Sequence, residues 1–400
     1  MPDPANCRWF KRKVNTTTDI KVEIADLEVL PDIIRRVLGK LSDDQIAKVI
    51  DSWMALRKVY PGLRMVGARS MYDSGEILAA AYLCEYPGTL GVLMGPWVSK
   101  VVSSSLVDDP GVRSVRLLLD VGRTWGVELI QALSHRSLTT TNLPETLGTS
   151  VEINSEALLR IRLQASGMQR LTLLHHLVLD LNTINCKHAD EFLNKHMFNS
   201  LQWNRFRRKD FEHWIAWLNG TYVDTLDCPE LDGVRSTAMT LEGYWSMANV
   251  PQQNSLLWDS TACNKNEGRD ECSNGLQSAA RLKELNIEWW GLPAMAVRKK
   301  SSAGDKNHSD GAIAAGFLLS QTSYEHWELT YMGVHEDFRG GGLGKLCLAR
   351  AIQRCADLGG ISISLAVDVR NTICIELYNS FGFRPASEIE AWIFTTSKHI

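Results

Sequence analysis

The stretch from Glu328 to Lys345 places an extended apolar segment directly before a cluster of glycines. Apolar side chains follow at roughly helical spacing, and Gly359 or Gly360 can end that helix. A strand, a glycine loop and a helix in this order aim several backbone N–H groups of the loop at one point. Because the helix dipole adds positive potential there and Arg339 adds a full charge, the stretch predicts a pyrophosphate site.

Three loop patterns bind pyrophosphate groups, and their spacing separates them. A P-loop needs Ser or Thr directly after its Gly-Lys pair, and no hydroxyl residue follows Gly344 and Lys345. A dinucleotide fingerprint needs G-x-G-x-x-G near the first strand of its unit, which the run beginning at Gly340 does not provide. The third pattern is Arg/Gln-x-x-Gly-x-Gly/Ala, and Arg339, Gly342 and Gly344 match it in register.

With these residues the chain resembles the GNAT superfamily of acetyl-CoA-dependent N-acyltransferases. Val334 stands five residues before Arg339, as in the family's fourth strand. Residues 361–369 then alternate like a strand, and residues 371–383 resemble the family's closing Asn…Leu-Tyr…Gly-Phe helix and turn. The resemblance covers residues 290–394.

The resemblance implies a binding site for acetyl-CoA as co-substrate. Strand residues Met332 to Val334 would pair with the pantetheine arm, and the amide near Met332 would polarise the thioester carbonyl. Asn371 would form a hydrogen bond with the pantetheine. The pyrophosphate cradle would consist of Arg339 and the backbone amides of Gly340, Gly341, Gly342, Leu343, Gly344 and Lys345.

Glu328 is the candidate general base, because it lies six residues before Val334, the spacing of a catalytic glutamate in the histone-acetyltransferase branch of the family. Counting by twos places Glu328, Thr330, Met332 and Val334 on one face of the strand. The alternative is an exposed glutamate at a strand edge, with a water chain as the base. The back-up candidates are Glu325, His326 and His335.

Tyr378 matches the family's general acid, which protonates the departing thiolate. The frame L-Y-x-x-x-G-F around it favours that role. A tyrosine on an amphipathic helix can also be a wall of the core, and this alternative stays open. Tyr378 completes the set of groups that acetyl transfer to an amine requires.

A second feature is a repeat in the order of elements. I-L-A-A-A-Y-L at 77–83 matches A-I-A-A-G-F-L at 312–318, and S-G-M-Q-R at 166–170 matches F-G-F-R-P at 381–385. The predicted fold is α/β, with two tandem GNAT-like modules, each a mixed, twisted sheet flanked by helices. The predicted boundaries are an N-terminal tail at 1–18, a degenerate module at 19–182 and a catalytic module at 183–400.

The first module lacks the chemistry of the second. Asp108 and Asp109 stand at the start of its helix in place of a glycine cluster, and carboxylates there repel a pyrophosphate. The position of the base falls on Val92 or Leu93, and the position of the acid falls on Leu163. We therefore expect one CoA site per chain, in the second module.

Composition excludes several other classes. The hydrophobic content of 44% and the charged content of 22% are those of a globular protein, and a net charge of −3 gives no sign of a nucleic-acid surface. No apolar run is long enough for a membrane span, and the N-terminal residues lack the apolar core of a signal peptide.

Nine cysteines without C-x-x-C pairs predict reduced thiols, a cytoplasmic location and no metal. His175 and His176 are adjacent on a strand and therefore face opposite sides, which also disfavours a metal site.

These observations predict an N-acetyltransferase that moves an acetyl group from acetyl-CoA to a primary amine on a small molecule or a peptide. Transfer of another acyl group, from an acyl-CoA or an aminoacyl donor, is the second hypothesis. The third is an acyl-CoA sensor without turnover, which the presence of both Glu328 and Tyr378 disfavours. The polar segments at 264–274 and 299–309 are expected to be loops. The sequence does not indicate the acceptor or the oligomeric state.

Overall fold

The computed structural model describes residues 20–25, 28–39, 42–99, 106–136, 155–182, 201–248, 287–296, 312–322 and 325–396. The predicted tail at 1–18, both polar segments and the residues just after the predicted boundary at 182 lie outside these ranges, so the domain boundaries stay predictions. Within the described residues, no helix combines the length and the apolar character that a membrane span requires.

The described residues of the first half of the chain form six strands and four helices. One of these helices begins after Asp109, whose side chain caps it, and is followed by Gly126 in a left-handed conformation. The elements are β1 (Ile20–Ala25), α1 (Leu30–Leu38), α2 (Asp43–Val59), β2 (Met65–Tyr72), β3 (Ile77–Tyr86), β4 (Leu90–Val98), α3 (Pro110–Trp125), β5 (Leu129–Arg136), α4 (Ser155–Ala165) and β6 (Gln169–Asp180).

The second half repeats this order. Its elements are β7 (Asn204–Arg205), α5 (Phe211–Tyr222), α6 (Thr237–Ala248), β8 (Ile287–Pro293), β9 (Ile313–Gln321), β10 (His326–Val334), α7 (Leu343–Asp357), β11 (Ser362–Asp368), α8 (Thr372–Ser380) and β12 (Arg384–Thr395). Short 3-10 turns lie at Arg208–Asp210, Pro229–Leu231, Ala294–Ala296 and Glu336–Phe338. The prediction of two tandem α/β modules is confirmed.

The two modules share one sheet of twelve strands, in the order β1-β2-β3-β4-β5-β12-β6-β11-β10-β9-β8-β7. The last strand of each module lies beside the penultimate strand of the other. Strand β6 pairs antiparallel with β11, where His176 faces Ala366, and β12 pairs antiparallel with β5, where Ala391 faces Leu133. Strands β6 and β12 also pair with each other, so the exchanged strands form the centre of the sheet.

Each module contains one parallel pair of strands that diverges. In the second module β10 and β11 pair only through His326–Glu328 and Ser362–Ser364. In the first module β4 and β5 pair only through Leu90–Val92 and Leu129–Gln131. Beyond these pairs the strands of each ladder separate, and an open slot forms between them.

The core lies in layers on both faces of the sheet. Below α7 and α8 a mostly aliphatic cluster, called here the aliphatic layer, buries the residues that the sequence predicts for the inner face of α7, which are Leu346, Leu348, Ala349, Ile352 and Cys355. On the opposite face α5 and α6 cover the sheet with an aromatic cluster that includes Phe206, Trp214, Trp217 and Trp289. The slot between β10 and β11 therefore lies between an aliphatic layer and an aromatic layer.

Candidate active site

The glycine loop after β10 has the geometry of an anion cradle. Gly340 and Gly342 adopt φ angles of 79° and 81°, a conformation that residues with a side chain rarely adopt. Gly342 is the N-cap of α7, so the helix begins at Leu343. Within the described part of the chain, no group accepts a hydrogen bond from the backbone N–H of any residue from Gly340 to Lys345. These amides are available to an anion at the helix N-terminus.

The Arg339 guanidinium, which the sequence predicted for this cradle, donates hydrogen bonds to backbone carbonyls. Its Nη1 donates to the Val223 carbonyl at 2.7 Å and its Nη2 to the Thr221 carbonyl at 3.0 Å, while Nε donates to the Val334 carbonyl at 3.3 Å. The guanidinium thus binds carbonyls at the C-terminal end of α5, where the helix dipole is negative. The cradle retains the exposed side chain of Lys345 as its nearby cation.

Met332 and Val334 lie on β10 after its pairing with β11 has ended, so they border the slot. Their side chains are partly buried against the aliphatic layer below α7. On the other side of β10 they pair with β9, where Met332 faces Phe317. Among the described residues, no strand pairs with the edge of β10 that faces the slot after Glu328, as pairing with an extended pantetheine arm requires.

The predicted common face of Glu328, Thr330, Met332 and Val334 is wrong, because β10 contains a β-bulge. The register with β9 shifts between Leu329 and Tyr331, which inserts one extra residue at Thr330. Leu329 before the bulge and Met332 after it therefore both face the aliphatic layer. Tyr331 packs into the aromatic layer. Glu328 alternates with Leu329, so it shares the face of Tyr331 and not that of Met332.

Glu328 is the last residue of β10 that pairs with β11, so it lies where the slot opens. Its side chain is partly buried, and the loss of water around it raises its pKa to about 7. It forms no hydrogen bond or ion pair with any residue that the structure describes. A carboxyl group with a pKa near neutrality, free of other partners, has the properties of a general base.

Tyr378 lies on α8 and is 7% exposed. Burial raises its pKa well above the usual range, and the nearby charge of Asp227 adds to the effect. Its ring packs against Phe383, with ring centroids 5.7 Å apart. No hydrogen bond links its hydroxyl to a described residue. The hydroxyl therefore stays protonated at neutral pH, which is the form that a general acid needs.

The other predicted residues have structural contacts. Asn371 is the N-cap of α8, and its Oδ1 accepts from the Cys374 amide at 3.2 Å. The His335 ring packs on Gly220 in α5. His326 is exposed and forms a hydrogen bond through Nδ1 with the Ser362 hydroxyl. Glu325 lies just before β10, outside the slot.

The sequence analysis did not identify the loop after α5 as part of this site. Asp227 Oδ1 accepts from the Asp368 amide at 2.9 Å, and the Cys228 amide donates to Asp368 Oδ2 at 3.2 Å. Asp368 also binds the Arg370 side chain at 2.6 Å and the Thr172 hydroxyl, which belongs to β6, at 3.0 Å. The side-chain ligand atoms of Asp227, Cys228 and Asp368 lie within 4.8 Å of one another, but the Arg370 guanidinium already provides the cation at Asp368. The acidic run D-T-L-D-C-P-E-L-D was the available signal.

The corresponding site of the first module is filled by its own side chains. Asp109 Oδ1 accepts from the amides of Gly111 at 2.8 Å and Val112 at 3.1 Å, which are the first amides of α3. Arg162 forms a buried ion pair with the same carboxylate at 3.1 Å. In the first module the Asp109 carboxylate therefore binds the amides at the start of α3. The corresponding amides at the start of α7 in the second module have no such partner among the described residues.

The parallel ladders also give the alignment of the two modules. Val92 ends the ladder of β4 and β5 as Glu328 ends the ladder of β10 and β11, so Val92, rather than Leu93, matches the base. The predicted repeat matched Ile77 with Ala312. The pairing of the strands instead aligns Ile77 with Ile313, a shift of one residue. Leu163, at the position of Tyr378, is fully buried in the core of the first module.

Part of the second module is similar to a known family. Residues 284–383 match the family model of the GNAT acetyltransferases. No curated protein matches the chain.

Three of the solved structures that match nearly the whole chain are GNAT or GCN5-related proteins. A tandem GNAT protein from the clavulanic acid biosynthesis pathway has 12% identity and a TM-score of 0.46, over 95% of this chain and 100% of that one. A GCN5-related N-acetyltransferase from Sphaerobacter thermophilus has 12% identity and a TM-score of 0.46, over 96% and 97% of the two chains. A fungal GCN5-related glucosamine N-acetyltransferase region has 13% identity and a TM-score of 0.49, over 95% of this chain and 38% of that one.

Proposed function

We propose that this chain, a member of the GNAT superfamily with two tandem modules, is an N-acetyltransferase that moves an acetyl group from acetyl-CoA to a primary amine. The observation that carries the proposal is the position of Glu328. Its carboxyl group, with a pKa of about 7, lies where β10 and β11 diverge, on the strand that leads directly into the free amides before α7.

The proposed mechanism assigns one task to each group. The amides of Gly340 to Lys345 bind the CoA pyrophosphate, and the free edge of β10 binds the pantetheine arm in the slot. Glu328 removes a proton from the acceptor ammonium, and the amine attacks the thioester carbonyl. The amide near Met332 stabilises the oxyanion of the tetrahedral intermediate. When the carbon–sulfur bond breaks, Tyr378 donates a proton to the thiolate.

The first module has no role in this chemistry in our proposal. Asp109 occupies its anion site, and Val92 and Leu163 stand in place of the base and the acid. We propose that its range is 19–182 and that the catalytic module spans 183–400. The reduced thiols of Cys84, Cys228, Cys347, Cys355 and Cys374 support a cytoplasmic site of action.

The proposal is tested by measuring the release of free CoA from acetyl-CoA in the presence of a panel of primary amines and lysine peptides. Amine-dependent release that Glu328→Gln abolishes, with acetyl-CoA affinity preserved, supports the proposal. Release only from longer acyl-CoA donors supports transfer of another acyl group. Tight binding of acetyl-CoA in calorimetry without release under any condition identifies a sensor and refutes the enzyme assignment.

A further inference from the structure

The turn between β3 and β4 of the first module lies against α6 of the second module. Gly88 in this turn has a φ angle of 78°, and a Cβ atom added to it would lie 2.2 Å from the Met239 carbonyl oxygen of α6. A Cβ atom added to Gly243, one helical turn further along α6, would lie 3.3 Å from the Pro87 carbonyl oxygen. Glycine at both positions therefore allows the two backbones to approach each other closely.

Polar contacts hold the turn and the helix together at this point. Arg235, just before α6, donates from Nη1 to the Gly88 carbonyl at 2.9 Å. The Thr89 hydroxyl lies 3.6 Å from the Met239 sulfur and 3.1 Å from the Glu128 carboxylate, so it contacts both modules. Because such contacts depend on distance and direction, they fix where α6 lies relative to the first module.

The opposite side of α6 covers the aromatic layer. Helical geometry places Leu241 and Tyr244 on the far side of α6 from Met239 and Gly243. Leu241 is fully buried in the aromatic layer. The Tyr244 ring lies 5.5 Å from the ring of Tyr331 on β10. The helix is therefore packed between the turn of the first module and the acceptor-facing side of β10.

The proposed base shares the face of β10 that α6 covers. Because of the bulge at Thr330, Glu328 and Tyr331 are consecutive residues of this face, roughly 7 Å apart along the strand. In the proposed mechanism the acceptor amine must reach Glu328 on this face. The position of α6 over Tyr331 therefore determines the space next to the base.

We propose that the turn at Gly88 is a positioning element for the acceptor, which holds α6 at the distance from β10 that acceptor binding requires. This inference rests on the proposed function and adds a contribution of the first module to it. In Gly88→Ala the turn and α6 must separate, because real Cβ atoms essentially never lie closer than 3.0 Å to another atom and this one would lie at 2.2 Å. A misplacement of about 1 Å in an active site can cost about 10²-fold in rate.

The experiment compares Gly88→Ala with Gly75→Ala in the full chain. Gly75 lies in the turn between β2 and β3 and has a φ angle of 89°, and an added Cβ atom meets no atom of the described residues within 4 Å. Both variants therefore introduce the same kind of backbone strain into a turn of the first module, but only Gly88→Ala presses on α6. The probe is the primary amine of the panel that the wild type acetylates with the highest kcat/KM.

We expect Gly88→Ala to raise KM for this amine about tenfold, with KM for acetyl-CoA nearly unchanged. Without any substrate, amide hydrogen exchange of residues 237–248 should be about tenfold faster in Gly88→Ala than in the wild type. Gly75→Ala should leave both KM values and this exchange unchanged. If Gly88→Ala does not fold, Gly243→Ala makes the same contact tighter from the helix side, where alanine favours folding. It should raise KM for the amine at least twofold, about 0.4 kcal/mol, and no change in that KM would refute the positioning role.

The outcomes separate this inference from the proposed function. If exchange in α6 rises only in Gly88→Ala but the wild type acetylates no amine of the panel, the proposed function fails and the contact between turn and helix stands. If amines turn over and Gly88→Ala leaves KM for the amine unchanged, or raises both KM values equally, the positioning role is refuted and the enzyme assignment remains. Equal effects of Gly88→Ala and Gly75→Ala also refute it, because loss of stability in the first module then explains both.

Discussion

Replacing Gly342 with alanine tests the anion cradle, because the structure separates its effect on folding from its effect on CoA. A Cβ atom built at Gly342 meets no atom within 4 Å, so the free protein has room for the methyl group. The φ angle of 81° costs an alanine about 1–2 kcal/mol of backbone strain. We expect the free energy of unfolding of Gly342→Ala to fall by about that amount.

The matched control is at the other end of the same helix. Gly359 has a φ angle of 79° and also no atom within 4 Å of an added Cβ, so Gly359→Ala should lose a similar amount of stability. Only Gly342 lies where the pyrophosphate would approach the backbone. Gly342→Ala should therefore weaken acetyl-CoA binding at least tenfold, about 1.4 kcal/mol, whereas Gly359→Ala should bind normally.

The measurements are calorimetric titration with acetyl-CoA and chemical denaturation of both variants. Equal, unchanged affinity in both variants would show that the loop does not contact the pyrophosphate. An equal loss in both would show that strain in α7, and not contact with the ligand, governs binding. Either result would refute the cradle.

Four further predictions test the proposed mechanism and the packing around the site. Glu328→Gln should lower kcat/KM by about 10²–10⁴; since the base must be ionised, wild-type kcat/KM should rise as the pH increases through about 7, and the variant should lose that rise. Tyr378→Phe should lower kcat with acetyl-CoA affinity nearly unchanged, and an equal loss of affinity would contradict the acid role. Titration of the full chain should give one acetyl-CoA per chain, because Asp109 fills the other site, and a stoichiometry near two would contradict this. Gly220→Ala should destabilise the fold by about 1–3 kcal/mol in denaturant, because the new Cβ would lie 2.2 Å from the His335 ring.

Local patterns in the sequence were sufficient to predict the elements around the site. Asp109 and Pro110 mark the start of α3, and Gly126 marks its end, because capping depends on residues within one turn. The apolar positions of α7 likewise follow from its periodicity. The glycine loop was predictable because positive φ angles at Gly340 and Gly342 require that residue type.

Features that depend on tertiary contacts were not predictable. The bulge at Thr330 has no marker in the sequence, yet it moves Glu328 and Met332 to opposite faces of β10. The Arg339 guanidinium binds carbonyls more than a hundred residues earlier in the chain. Such backbone acceptors are available at every residue, so the side-chain pattern does not select among them.

The exchange of β6 and β12 between the two modules could not be predicted from the sequence, for a different reason. Strands β6 and β12 follow equivalent glycine turns, at Gly167 and Gly382, and both alternate in the same way. Either strand satisfies the hydrogen bonds of β5 or of β11, so the pattern alone permits both arrangements. The exchanged arrangement also buries the Glu390 carboxylate of β12 with Arg160 and Arg170 of the first module, each at 3.5 Å.

The exchange gives the first module a structural role beside the proposed active site although its own anion site is filled. Strand β6 lies directly beside β11, and its Thr172 donates a hydrogen bond to the buried Asp368 carboxylate. Asp368 in turn holds Asp227 and Cys228 of the loop after α5. A second module cut from the chain would lose this neighbour and expose the backbone edge of β11. The last strand of the first module therefore supports β11, which borders the slot of the second module.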